Sequence, residues 1–249
     1  MSWLRAWGRA LLFAFTAAAA ALSFSAYTAR TRSLAMRQVY FAAWQVLPGF
    51  TLFAALLSWV VIQITVSLAR EYNLAQFALE LAMRVVVLEL VPLLTALYVA
   101  LRSGAAIVTE VAVMAHNGEL DELRSANIDP YEREFVPRIA AAAMSVFALT
   151  VVSCFVVILI AYLVMYGASP WGFSEYTRTV ALVFSPGELG GFLLKCVAFG
   201  VVVAVIPIAA GLDATKDPRS VPVAVMGGMV RLFVALAAIE LVNLAVKYV

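Results

Sequence analysis

The chain has 249 residues, of which 65% are hydrophobic and 13% charged, with a formal net charge of +2. Soluble domains carry roughly 25% charged residues, so an ordinary water-soluble domain is excluded, and the charge is too small to imply a nucleic-acid partner. The apolar residues come in runs of about 20 or more, long enough to cross a ~30 Å hydrocarbon core as helices. They are apolar on all sides, whereas barrel strands alternate over ~10 residues. The fold class expected is an all-α integral membrane protein.

Residues 1–37 open the chain with Trp3, Arg5, Trp7 and Arg9 before the run Leu11–Leu22. An interfacial helix places Trp3, Trp7 and Leu11 on one face. A signal peptide would use Arg5 and Arg9 as its basic region and the small residues near Ala26 for cleavage. Arg30, Arg32 and Arg37 follow at once and favour the interfacial helix; a further full span is a third reading.

Five spans are predicted, over 41–69, 81–101, 138–166, 188–210 and 222–248, in one membrane domain, 1–249. A loop, 102–137, joins the second span to the third. Twelve of the 17 Lys and Arg residues fall on one side if the N-terminus is cytoplasmic. The positive-inside rule therefore puts the N-terminus and the 102–137 loop in the cytoplasm and the C-terminus in the periplasm.

Three ionisable residues stand inside the spans: Glu89, Lys195 and Glu240. Each costs roughly 2.5–3.5 kcal/mol at a helix centre, so each is a functional candidate. All three fall ~10–12 Å beneath the outer surface at 1.5 Å per residue, a common depth that suggests one polar chamber. Private pairing or snorkelling of each is the alternative. Pro92 cannot donate to the carbonyl of Leu88, which leaves a free carbonyl and a kink beside Glu89. Leu88, Glu89, Pro92, Lys195 and Glu240 are thus the candidate substrate-binding residues.

The 102–137 loop contains Glu119-Leu120-Asp121-Glu122-Leu123. It is too short to be a stable helix alone in water, but Leu120 and Leu123 at i, i+3 would hold it in a partner's groove. Asp129-Pro130-Tyr131-Glu132 reads as a helix start, with Asp129 as N-cap and Pro130 in the first position. No P-loop, Gly-x-Ser-x-Gly or His-Glu-x-x-His motif is present, so no enzymatic activity is expected of the chain itself. Cys154 and Cys196 read as buried thiols, His116 as a surface residue, and neither a metal nor a cofactor is implied.

Residues 88–138 resemble the MlaE/YrbE permease family, the membrane subunits of Mce-type ABC lipid transporters. Glu89, Pro92, Leu94, Ala96, Leu97, Ala100, Arg102, Gly104, Ala105, Glu110, Met114, Glu119, Leu123, Asp129, Pro130, Pro137 and Arg138 stand in the family's register without a gap. The chain departs from it where Leu88 replaces an Arg, where Val91 replaces a Gly, and over 211–220. The resemblance implies a homodimer in the bacterial inner membrane, moving phospholipid or a related hydrophobic substrate. ATP would be hydrolysed by two separate cytoplasmic ATPase subunits, with an Mce-domain protein in the periplasm. Glu119–Leu123 would be the ATPase-coupling helix, and Arg102, Gly104, Glu110, Asp129, Pro130 and Arg138 the structural motif. An ion-coupled secondary transporter using Glu89, Lys195 and Glu240, or a membrane scaffold that transports nothing, are the competing classes. Reporters fused after residues 75, 120 and 249 should read out, in and out, and any other pattern rejects the topology.

Overall fold

The computed structural model describes residues 47–126, 129–167, 169–214 and 221–248. The interfacial helix expected over 1–37 lies outside them. Helix α1 spans Leu47–Glu71 and ends in a tight turn at Asn73, whose φ of 57° is the left-handed conformation that asparagine tolerates. The chain then returns through α2 (Ala75–Ala82), a π-helical segment (Met83–Leu90), α3 (Val91–Val99), a second π segment (Ala100–Gly104) and α4 (Ala105–His116). From Phe77 to His116 these form one helical rod of 40 residues. A short helix, α5 (Glu119–Ser125), and a π turn (Tyr131–Phe135) lead into α6 (Val136–Tyr166). A surface helix, α7 (Phe173–Val183), links α6 to α8 (Pro186–Leu212), and α9 (Val221–Tyr248) closes the bundle.

Among the described residues, five helices are long and apolar enough to cross a membrane, as the composition leads one to expect. The second differs most from its predicted bounds. It does not end at Leu101 but continues to His116, so only the last part of 102–137 is a connection. The cause is local: Ala105–Val113 is apolar and helix-favouring, and Gly104 is packed against Met229 rather than freed as a stop. Asp129 does cap the next helix, its Oδ1 accepting the Tyr131 N–H at 2.9 Å.

Helix α8 is the centre of the bundle. Two-thirds of its spanning window is buried, against 22% for α1 and 17% for α9. It packs on α4, α6 and α9, and small residues set those contacts. A Cβ on Gly200 would fall 2.5 Å from the Ala143 Cα of α6, and one on Gly211 would fall 2.8 Å from the Val108 carbonyl of α4. Helices in lipid gain little from hydrophobic exclusion, so such close approach supplies the packing energy. The outward faces of α1 and α9 expose Leu52, Phe53, Trp59, Ile64, Met226, Val230 and Leu241, as a lipid solvent demands.

Polar side chains inside the spans are mostly satisfied within their own helix. Thr95, Ser145 and Thr150 each donate to the carbonyl four residues back, at 2.7–2.8 Å. Gly200→Leu should drive α8 off α6 and cost about 1–3 kcal/mol or more by overpacking. Gly190→Ala, where a Cβ meets nothing within 4 Å, should leave the unfolding midpoint in mild detergent unchanged or higher.

Candidate functional site

Lys195 sits at the first third of α8, its side chain buried. Its ammonium donates to Glu89 Oε2 at 2.5 Å, to Glu240 Oε1 at 2.9 Å and to the Leu88 carbonyl at 3.3 Å. It also lies 5.8 Å above the Phe199 ring, within cation–π range. Glu89, Lys195 and Glu240 therefore meet at one point, from three different helices. The Leu88 carbonyl, four residues before Pro92, is taken by the same ammonium. The neighbouring Val87 carbonyl faces the Cys154 thiol at 3.7 Å. The backbone acceptors that a proline strands are thus met by side chains of α6 and α8.

The cluster extends further than those three. Lys247 of α9 donates to Glu89 Oε1 at 2.9 Å and pairs with Glu188 Oε2 at 2.9 Å. Asn243 donates to Glu89 Oε2 at 3.1 Å. Arg84 bonds Glu188 Oε1 at 2.9 Å and Glu80 Oε1 at 3.0 Å. The result is a relay of alternating charge, Glu80–Arg84–Glu188–Lys247–Glu89–Lys195–Glu240. It starts at the half-exposed Glu80 near the Asn73 turn and runs inward to Glu240, which is 9% exposed.

The geometry follows from helical registers. Glu188 and Lys195 are seven residues apart on α8, and Glu240, Asn243 and Lys247 are spaced i, i+3, i+7 on α9, so each set shares a face. Arg84 and Glu89 are five apart, which would separate them on an α-helix. They lie in the π segment Met83–Leu90, whose i→i+5 bonding stacks residues five apart. Beside the relay is a cavity of about 390 Å³ lined by Leu88, Glu89, Glu188, Lys195, Asn243 and Lys247 among others. That is within the ~300–1,000 Å³ of small-ligand sites.

Residues read from the sequence are placed as follows. Leu88, Glu89 and Lys195 line the cavity, Glu240 stands behind Lys195, and Pro92 is buried one turn beyond. Arg84, Glu188, Asn243 and Lys247 were not anticipated. The seven-residue spacings of α8 and α9 were a usable signal for three of them; the π register hid the fourth. At the far end of the rod, Arg138 lies 3.7 Å from Glu110 and from Glu134, so two motif residues meet. Gly104 touches α9, while Arg102 is exposed.

Helix α5 is built differently from its expected form. Leu120 is 7% exposed and packs in the protein's own core with Val111, Phe135, Ile139 and Ile208. The pair of leucines therefore cannot both enter a partner's groove: the inner surface of α4, α6 and α8 already supplies one for Leu120. What α5 presents outward is Glu119, Asp121, Glu122 and Arg124, with Leu123 half-buried.

The fold and this site define a multi-pass, all-helical membrane protein with a charged relay beside a cavity. The chain belongs to the Permease MlaE family, whose profile matches residues 35–246. It is similar to a probable ABC transporter permease protein of Synechocystis sp., 30% identical over 136 residues, 53% of this chain and 51% of that one. It also resembles probable ABC transporter permease proteins of Porphyra purpurea, 27% identical over 163 residues (63% and 61% of the two chains), and of Rickettsia typhi, 26% identical over 194 residues (76% and 73%). The match spans about half the length of the first of these relatives.

Breaking the relay at one point should cost more than dissolving it. Lys195→Met leaves buried Glu240 without its cation and Glu89 with only one of its two, and should destabilise by about 3–5 kcal/mol. Adding Glu89→Gln and Glu240→Gln to Lys195→Met should recover much of that loss, and a double-mutant-cycle series of unfolding midpoints checks it.

Proposed function

We propose that the protein is the permease subunit of an ABC transporter that moves phospholipid or a related hydrophobic substrate between the inner membrane and the periplasm or outer membrane. The observation that carries this reading is the relay-lined cavity inside an otherwise apolar bundle, in a chain of the Permease MlaE family. Buried ions are expensive in a bilayer and mark substrate pathways. A cavity with apolar walls and one charged end suits an amphipathic molecule, its headgroup at Glu89, Lys195 and Lys247.

In this reading the Asn73 end faces the periplasm and the His116 end the cytoplasm of a bacterial cell. Two ATPase subunits engage the cytoplasmic end of a permease homodimer, and an Mce-domain protein receives or delivers lipid above it. ATP binding shifts the permease between two states that differ in affinity for the lipid. The exposed acidic face of α5 supports its use as the ATPase handle, gripped by charge rather than by Leu120. The relay also suits an ion-coupled secondary transporter, and the two readings separate on whether transport stops without ATP.

Glu89→Gln should reduce co-purifying lipid and lipid transfer while the protein remains folded; unchanged lipid occupancy and transfer would return Glu89 to a structural role. Asp121→Lys with Glu122→Lys should abolish co-purification of the ATPase subunit with no loss of thermal stability. Leu120→Ala should instead cost about 2–5 kcal/mol of stability as a core truncation. If the charge reversal leaves the complex intact, α5 is not the handle.

A further inference from the structure

The relay has one more carboxylate than it has cations. Among the described residues, Glu80, Glu89, Glu188 and Glu240 alternate with Arg84, Lys247 and Lys195. Every cation lies between two carboxylates. Lys195 has three N–H donors, and Glu89, Glu240 and the Leu88 carbonyl take all of them. Lys247 holds Glu89 and Glu188, and Arg84 holds Glu188 and Glu80. An anionic group entering the cavity could reach Lys195 only by stripping it from one of these acceptors, and a carboxylate so released would be left buried without that partner, a costly exchange.

The acceptor side is not saturated. An ionised carboxylate offers about four lone-pair sites; Glu89 uses three of them and Glu188 two in hydrogen bonds or ion pairs, and Glu240 uses one in a hydrogen bond. Glu240 Oε2 is buried and lies 2.8 Å from the Lys195 nitrogen, but receives no aligned hydrogen bond. Access is open on one wall: Gly187 and Gly191 line the cavity, and a Cβ on either would meet nothing within 4 Å. The backbone there leaves room for a small charged group to come alongside Glu188 and Glu89.

We infer that the cavity selects its substrate by a positive end: it takes a lipid whose headgroup carries an ammonium group and discriminates against one whose headgroup is solely anionic. The ammonium is the fourth cation of the relay, seated against Glu188 and Glu89, and it brings the count to four cations for four carboxylates. This rests on the lipid-permease reading above and adds the headgroup class to it.

The test is a competition on the purified full chain. The protein is equilibrated in detergent with equal amounts of phosphatidylethanolamine and phosphatidylglycerol bearing the same acyl chains, washed, and its retained lipid quantified by mass spectrometry. The wild type should enrich the ethanolamine lipid by about tenfold, one decade of affinity. Glu240→Gln, which removes the excess charge, should bring the ratio back toward that of the mixture. Equal retention of the two lipids by the wild type, or enrichment of the glycerol lipid, overturns the inference and leaves the lipid-permease reading standing. Full enrichment in a folded Glu240→Gln overturns the charge argument. Retention of neither lipid overturns the permease reading and this inference with it.

Discussion

An ammonium group inside a bundle of membrane helices must find acceptors from the protein, because the lipid has none. Lys195 finds a carboxylate of the π segment before Pro92, a carboxylate of α9 and a backbone carbonyl. These contacts tie the central helix to two of its neighbours at one point. The apolar packing around α8 brings helices together without specifying how far each slides along the next. The relay sets that register: a shift of one turn in α9 would carry Glu240 and Lys247 past their partners. In this bundle close packing at small residues supplies affinity and the buried charge supplies alignment.

The first π segment follows from the same constraint. An α-helix through Met83–Leu90 would turn Arg84 and Glu89 to different faces, and one of them would meet lipid. The wider turn keeps both on the side of α8 and α9. It also alters the hydrogen bonding just before Pro92, where the ladder is interrupted in any case. Side chains from two other helices then complete the stranded carbonyls.

Much of this was legible in the residues. Span number and type followed from hydropathy, and the equal depth of Glu89, Lys195 and Glu240 pointed to their meeting. Pro92 pointed to a carbonyl in need of a donor. The outer half of the relay escaped because Glu188 and Lys247 stand at span ends, where a charge is ordinary, and because Arg84 joins them only through a change of helical period. Helix α5 escaped for another reason. Two leucines among carboxylates show that a segment has an apolar side, but not which surface covers it. Here Val111, Phe135 and Ile208 cover Leu120 from within the same chain.

The rod from Phe77 to His116 is 40 residues long, about 60 Å at 1.5 Å per residue, roughly twice the hydrocarbon thickness of a bilayer. It carries Glu89 near one end and delivers the chain to α5 at the other. The two ends are therefore joined by continuous helix rather than by loose chain. The rod includes two π segments, Met83–Leu90 and Ala100–Gly104, and the second brings Gly104 close against Met229 of α9. Glu89 and α5 thus lie on opposite sides of that contact, on two arms of one helix.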